Sequence, residues 1–273
     1  MVTSSGTGRP IGIIGGSGLY ALVDDGTPVM VDTPFGPPSE PPVVGTLAGR
    51  PVAFLPRHGR DHRFPPHRVN YRANLWALRT VGVRQVLAPC AVGALSPELR
   101  PGTLVVPDQV IDRTWGRAHT VYDEVGPVVH VGFADPYCPR GRSVLAGLAE
   151  PPLPVVDGGT MVVIQGPRFS TRAESRRNRR DGASVVGMTG MPEAAVAREL
   201  AMCLTSLAVV TDADADVDGG VAVTHRAVLK EFARSIERLR ELLALAVAAL
   251  PQDDECTCAR ALDGLVLPFA LPG

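Results

Sequence analysis

The chain reads as an α/β domain with a twisted, mixed or mostly parallel central sheet flanked by helices. Two observations carry that expectation. Short apolar, β-branched runs recur along the 273 residues, and helical patterns, two of them closed by a glycine, separate several of them. The length suffices for a full core, and a composition of 45% hydrophobic and 20% charged residues suits one ordinary globular domain spanning 1–273.

Strand-like runs lie at Ile11 to Ile14, Val52 to Leu55, Val86 to Ala88, Leu104 to Val106, Val128 to Val131, Met161 to Ile164 and Leu207 to Val210. Among the helical patterns, Asn70 to Val81 stops at Gly82 and Thr171 to Arg180 stops at Gly182. Thr171 and Glu174 have capping-box spacing, and Pro192 stands where a helix start welcomes proline. Thr224 to Leu250 puts Phe232, Ile236, Leu239, Leu243 and Ala246 on one stripe. Residues 1–9 and the polar segment Gln252 to Asp263 are expected to be loose, and no internal repeat is visible.

A formal charge of -1 gives no overall pull toward nucleic acid or an anionic membrane. No apolar run reaches the roughly 18 residues of a membrane helix, and Met1 to Pro10 lacks the features of a signal peptide. A cytoplasmic protein with small-molecule partners is expected. Five scattered cysteines argue against a disulfide framework. Cys256 and Cys258 read as inert surface thiols, because two sulfurs without a second pair nearby in sequence do not complete a zinc site, and no metal is expected. Lys230 is the only lysine, and it falls within a long amphipathic helix. That argues against P-loop, kinase and pyridoxal phosphate chemistry, each of which needs a placed lysine.

Four segments carry chemistry. Ile11 to Gly18 is a strand ending in a glycine turn whose bare N–H groups suit an anion. It also fits the dinucleotide fingerprint, but only about seven residues follow before Gly26, too few for the crossover helix of an NAD site. Arg57, His58, Arg60, His62 and Arg63 follow the next strand. His58, His62 and His67 could suggest zinc, yet the flanking guanidiniums favour an oxyanion such as phosphate, with Arg60 and Arg63 open to a purely solvated role.

Met161 to Ser175 runs from a buried strand through Gly166-Pro167 into a capped helix, leaving Phe169 and Ser170 at the strand's carboxyl end, where α/β sheets hold ligands. Leu207 to Asp216 ends an apolar strand in carboxylates. Asp212 and Asp214, two apart on extended backbone, face one side and suit a general acid, with loop capping as the plain alternative. The run Asp214-x-Asp216-x-Asp218-Gly219 mimics a calcium loop but has His225 at its twelfth position and a strand before it.

Together the motifs Gly15 to Gly18, Pro56 to Gly59, Val69 to Leu78, Gly166 to Ser175, Met188 to Glu193 and Thr211 to Asp214 resemble the trimeric purine nucleoside phosphorylase superfamily, and within it the methylthioadenosine phosphorylase branch. The resemblance spans Ile11 to about Leu243 and implies a nucleoside phosphorylase-like fold. The implied reaction is attack of inorganic phosphate on C1′ of a purine nucleoside, with no cofactor, in a homotrimer or a dimer of trimers. It implies that Ser17, Arg57, His58, Cys90, Ala91 and Thr189 hold phosphate, with cysteine at 90 where the family usually has threonine. By the same resemblance Met188 lines the ribose, Phe169 the base, and Asp212 with Asp214 the purine edge, Asp212 being the acid to N7. Asp212 and Ser170 look like the 6-aminopurine branch, whereas oxopurine relatives carry Asn and Glu. His225 sits where hydroxyl-accepting relatives carry His, which leaves open a purine nucleoside with a free 5′-hydroxyl, and His130 is placed to reach a neighbour's 5′ pocket.

Overall fold

In the computed structural model, residues 8–16, 18–19, 22–148, 155–215, 224–253 and 255–273 are described, the side chains of 225 and 227 excepted. One strand organises the rest. β5 (Gln85–Ala94) is ten residues long and hydrogen-bonds along one whole edge to the parallel β11 (Cys203–Ala213). Its other edge is shared. β1 (Ile11–Gly15) pairs with it in parallel at Val86 and Leu87, and β10 (Ala183–Gly187) pairs antiparallel at Gly93 and Ala94. Between Leu87 and Gly93 that edge has neither neighbour, and Pro89, which lacks an N–H, sits inside the gap.

From β1 the sheet continues through β4 (Arg50–Pro56), β3 (Val43–Leu47) and β2 (Asp24–Pro28); from β10 it continues through β9 (Thr160–Ile164) to β7 (Gln109–Arg113). β6 (Leu104–Val106) adds to β11, and β8 (Val155–Asp157) adds to β6. The mixed sheet and flanking helices are those expected from the sequence.

Alternation along the central strands builds two apolar layers. Ile11, Ile13, Leu207 and Val209 pack with α5 (His225–Ala249) and α2 (Pro139–Gly147). Ile14, Ala208 and Val210 face the other way, against α1 (Tyr71–Thr80) and α4 (Gly190–Glu199). Within α5, Leu239, Leu243 and Ala246 are fully buried, as the stripe predicts. Asn70 caps α1, and the Thr171–Glu174 capping box opens α3 (Arg172–Arg180) as its spacing predicts. Met191 keeps an extended backbone (φ -123, ψ 137), so regular helical turns in α4 start at Pro192.

Three expectations fail. Val128 to Val131 forms no strand: Val128 is exposed and no strand pairs with the segment, so β-propensity alone has nothing to pack against. The segment 252–263 is not uniformly loose, because residues Thr257–Arg260 form a 3-10 turn, and the expectation of surface thiols there fails with it, since Cys256 and Cys258 are both buried.

Candidate active site

A cavity of about 490 Å3 opens beside the unpaired edge of β5, large enough for a small molecule and lined there by Pro89, Cys90, Ala91, Val92 and Gly93. β4 and β11 deliver their carboxyl ends to it from opposite edges of β5.

From β4 come Arg57 and His58. Arg57 is buried: Nε and Nη2 donate to the Glu193 carboxylate at 2.8 and 3.0 Å, Nη1 donates to the Pro89 carbonyl at 3.0 Å, and Nη2 donates to the Ile14 carbonyl at 3.1 Å. Burial works against its charge, but the Glu193 carboxylate outweighs it and raises the pKa. Of the five N–H groups, one on Nη1 is left uncommitted among the described residues.

His58 lies 2.7 Å from the Phe64 carbonyl through Nδ1. A carbonyl only accepts, so Nδ1 carries hydrogen and Nε2 keeps the lone pair. Burial, then the Arg57 charge, pushes the imidazole down to about 4, so it is neutral at pH 7. Its Nε2 can therefore accept a hydrogen bond or take up a proton. Exposed His62 stacks on it at 4.4 Å. Thr189 is buried, lines the cavity and makes no side-chain cap to α4, which leaves its hydroxyl for a ligand.

β11 supplies the carboxylates. Its pairing with β5 slips between Val210 and Asp212, so Thr211 and Asp212 together oppose Gly93. This bulge turns the strand end into the cavity. Gly93 leaves room for this, since a Cβ would stand 3.0 Å from Asp212 Oδ2 and 3.2 Å from Val186 and these side chains would have to yield. Burial pushes the Asp212 carboxyl up to about 6; the Thr211 hydroxyl, donating to Oδ1 at 2.8 Å, pulls it down, and the neighbouring Asp214 pushes it up. Asp214 is buried, and its Oδ2 has no partner among the described residues. The same holds for the Ser170 hydroxyl. Two orphaned polar atoms on one cavity are positions for a ligand's hydrogen bonds.

Phe169, Ser170 and Met188 line the same space. Arg117 staples their supports, donating to the carbonyls of Met188 at 2.9 Å and Gln165 at 2.8 Å and to that of Met191. Gly166, at φ +62, passes so close to Met188 that a Cβ would stand 2.6 Å from its sulfur.

Of the sequence candidates, Arg57, His58, Cys90, Ala91, Phe169, Ser170, Met188, Thr189, Asp212 and Asp214 line one cavity. Burial, against the pull of Arg57, pushes the Cys90 thiol up to about 11, so it is a neutral group. Ser17 lies outside the described residues, although adjacent Gly16 lines the cavity. His225 opens α5 one turn before the lining residues Val228 and Leu229, and its side chain is outside the description. His130 is exposed and not part of the lining. Sequence reasoning missed Glu193, Gly93, Arg117 and the apolar trio Val228, Leu229 and Phe232. Only contacts between distant parts of the chain reveal the first three, and the trio shares a helix whose periodicity reports core.

A sheet whose central strand changes neighbours over a cavity, with cations on one side and paired carboxylates on the other, is the architecture of an enzyme acting on a small anionic or polar substrate. Residues 10–248 match the family model described as the phosphorylase superfamily, and the chain belongs to that family. It is 58% identical to purine nucleoside phosphorylase of Streptomyces coelicolor, over 96% of this chain and 97% of that protein. It is 54% identical to S-methyl-5′-thioadenosine phosphorylase of Mycolicibacterium smegmatis, over 96% and 99%. The structure of a methylthioadenosine phosphorylase from an antarctic soil metagenomic library superposes with a TM-score of 0.87 at 38% identity, covering 95% of this chain and 93% of that one.

Proposed function

We propose that the chain cleaves the N-glycosidic bond of S-methyl-5′-thioadenosine or a related 5′-modified adenosine, using inorganic phosphate and releasing free purine and a 5-substituted ribose 1-phosphate. The supporting observation is the cavity that joins Arg57, His58 and Thr189 from one edge of β5 to Asp212 and Asp214 from the other. Phosphate held by the Arg57 N–H, the Thr189 hydroxyl and His58 attacks C1′. The C1′–N9 bond breaks with its electron pair passing to the purine, and protonated Asp212 delivers its proton to N7. The unpartnered Asp214 Oδ2 and Ser170 hydroxyl suit the base edge, a carboxylate accepting from a 6-amino group. Cys90 and Ala91 border the phosphate end, Met188 the ribose and Phe169 the base, and the sequence resemblance adds Ser17 to the phosphate ligands.

Val228, Leu229 and Phe232 give the cavity an apolar flank, which suits a methylthio group better than a 5′-hydroxyl. A nucleoside with a free 5′-hydroxyl is the competing substrate, supported by the position of His225 and by the Streptomyces coelicolor relative. The reading extends to a cytoplasmic homotrimer. Trp115, Val125 and Val128 are exposed on the segment that carries His130, and the trimer would bring that segment to a neighbour's 5′ pocket. Sedimentation equilibrium tests this; a monomer would remove His130 from the site.

The deciding experiment follows base release from methylthioadenosine, adenosine, inosine and guanosine with and without phosphate. Phosphate-dependent release, fastest from methylthioadenosine, is expected. Release that proceeds equally well without phosphate would mean a hydrolase.

A further inference from the structure

Outside the cavity, the thiols of Cys138, Cys203, Cys256 and Cys258 come together with all four sulfurs within 4.8 Å of one another. All four residues are buried, none is in a disulfide, and they form an apolar cluster of their own. They arrive from three places in the chain: Cys138 caps the start of α2, Cys203 opens β11, and Cys256 and Cys258 bracket the first residue of the turn after α5. Backbone bonds fix each arm. The Cys138 N–H donates to Leu204 at 2.7 Å, the Cys203 N–H donates to Arg84 at 2.8 Å, and the Cys256 carbonyl accepts from Ala259 at 3.0 Å.

We propose that these four cysteines bind a structural zinc ion. Zinc holds thiolates at about 2.3 Å in a tetrahedron, which sets its sulfurs about 3.8 Å apart. Cys138 and Cys256 stand 3.4 Å apart, and the remaining pairs fall within the 4.8 Å limit. Disulfides would instead draw the sulfurs into two pairs at about 2.05 Å. Four mutual neighbours, with no fifth ligating group among the described residues, make a closed site, which is structural rather than catalytic.

The groups around the thiols suit a charged ion. The Gly141 N–H at the start of α2 donates to Cys138 Sγ at 3.4 Å, and the Arg140 guanidinium, also paired with Asp253, acts electrostatically on Cys203 and Cys256. Each thiol releases its proton to solvent as it binds the ion. The ion would tie the Cys256 to Cys258 segment onto the amino end of β11. Cys203 and Asp212 are nine residues apart along that strand, about 30 Å at 3.3 Å per residue, so the metal is distinct from the cavity chemistry.

The test is purification without chelator or reductant, followed by elemental analysis and thiol counting on the denatured chain. About one zinc per chain and all five thiols titratable are expected. Because Cys258→Ser could fail to fold, the wild-type protein is also stripped and reloaded with cobalt(II), which should give the visible absorption of a tetrahedral thiolate complex. A folded Cys258→Ser variant should lose the zinc and melt lower while base release is unchanged. Fewer than five free thiols would mean disulfides, and five thiols with no metal even after zinc addition, or with iron in place of zinc, would equally overturn the assignment.

Discussion

The two ends of β11 gather side chains with removable protons in opposite ways. At its carboxyl end the strand bulges against Gly93, the neighbouring edge of β5 is unpaired, and Asp214 Oδ2 and Ser170 Oγ are buried without partners. At its amino end Cys203 meets three other thiols that enclose one another. The open end keeps unsatisfied polar atoms for a ligand; the closed end spends its groups on each other. Variants at the first should therefore change rate, and variants at the second stability.

Arg57 is the place to break that rule. It serves the open end, yet its guanidinium is the buried partner of Glu193. Arg57→Ala strands that carboxylate, so a loss of about 3–5 kcal/mol is expected in chemical denaturation, together with a raised KM for phosphate. Replacing both members, Arg57→Met with Glu193→Met, should restore most of the stability and none of the phosphate affinity. If phosphate affinity returned with the fold, Arg57 would be structural only.

Asp212→Ala should lower turnover about 10²-fold or more with little change in melting, the scale of a positioned proton donor. Asp212→Asn keeps a donor at N7 but brings an amide N–H to the purine edge, where it repels a 6-amino group and suits a 6-oxo group, so activity should move toward 6-oxopurines. The acid must be protonated, and its carboxyl is raised from 3.8 to about 6, so kcat/KM should fall as pH rises through about 6, and that limb should vanish in Asp212→Asn. Stability against pH will not report it. Between about 4 and 6 the folded Asp212 holds a proton that the unfolded chain has lost, which lowers stability as pH rises. Over nearly the same window His58, depressed from 6.5 to about 4, does the reverse.

The open end was legible in sequence because its chemistry is local. Gly15 to Gly18, Arg57-His58 and Thr211 to Asp214 each pair a strand end with its reactive group, and each motif occupies a few adjacent residues. The closed end was not legible. Cys138, Cys203 and the Cys256–Cys258 pair are separated by 64 and 52 residues, and only the packing of α2 on β11 and the return of the chain after α5 bring them together. The same reason hides Glu193 behind Arg57. The short strands β2, β3, β7, β8 and β10 were missed because their residues, such as the polar Asp24, Gln109 and Arg113, owe their extended shape to a neighbouring strand rather than to their own pattern.

Gly93→Ala sharpens the comparison by touching only geometry. The added methyl would press on Asp212 Oδ2 and Val186, and the carboxylate must yield by a few tenths of an ångström. Turnover should drop about ten-fold, since small misplacements of reacting groups are costly, while KM for phosphate stays put. An unchanged turnover would mean that the bulge does not aim Asp212.

The smallest effect expected is the coupling between the two ends. Cys203→Ser and Asp212→Asn lie about 30 Å apart along one strand, well beyond the 7–10 Å at which substitutions usually cease to interact. They share no partner. A continuous strand could still carry a register shift from one end to the other, but the slip at Thr211 absorbs such a shift before Asp212. The double-variant cycle in kcat/KM should therefore close to within about 0.5 kcal/mol. A larger coupling would show that the thiol cluster sets the register of the catalytic strand end, and the two ends would then be one device.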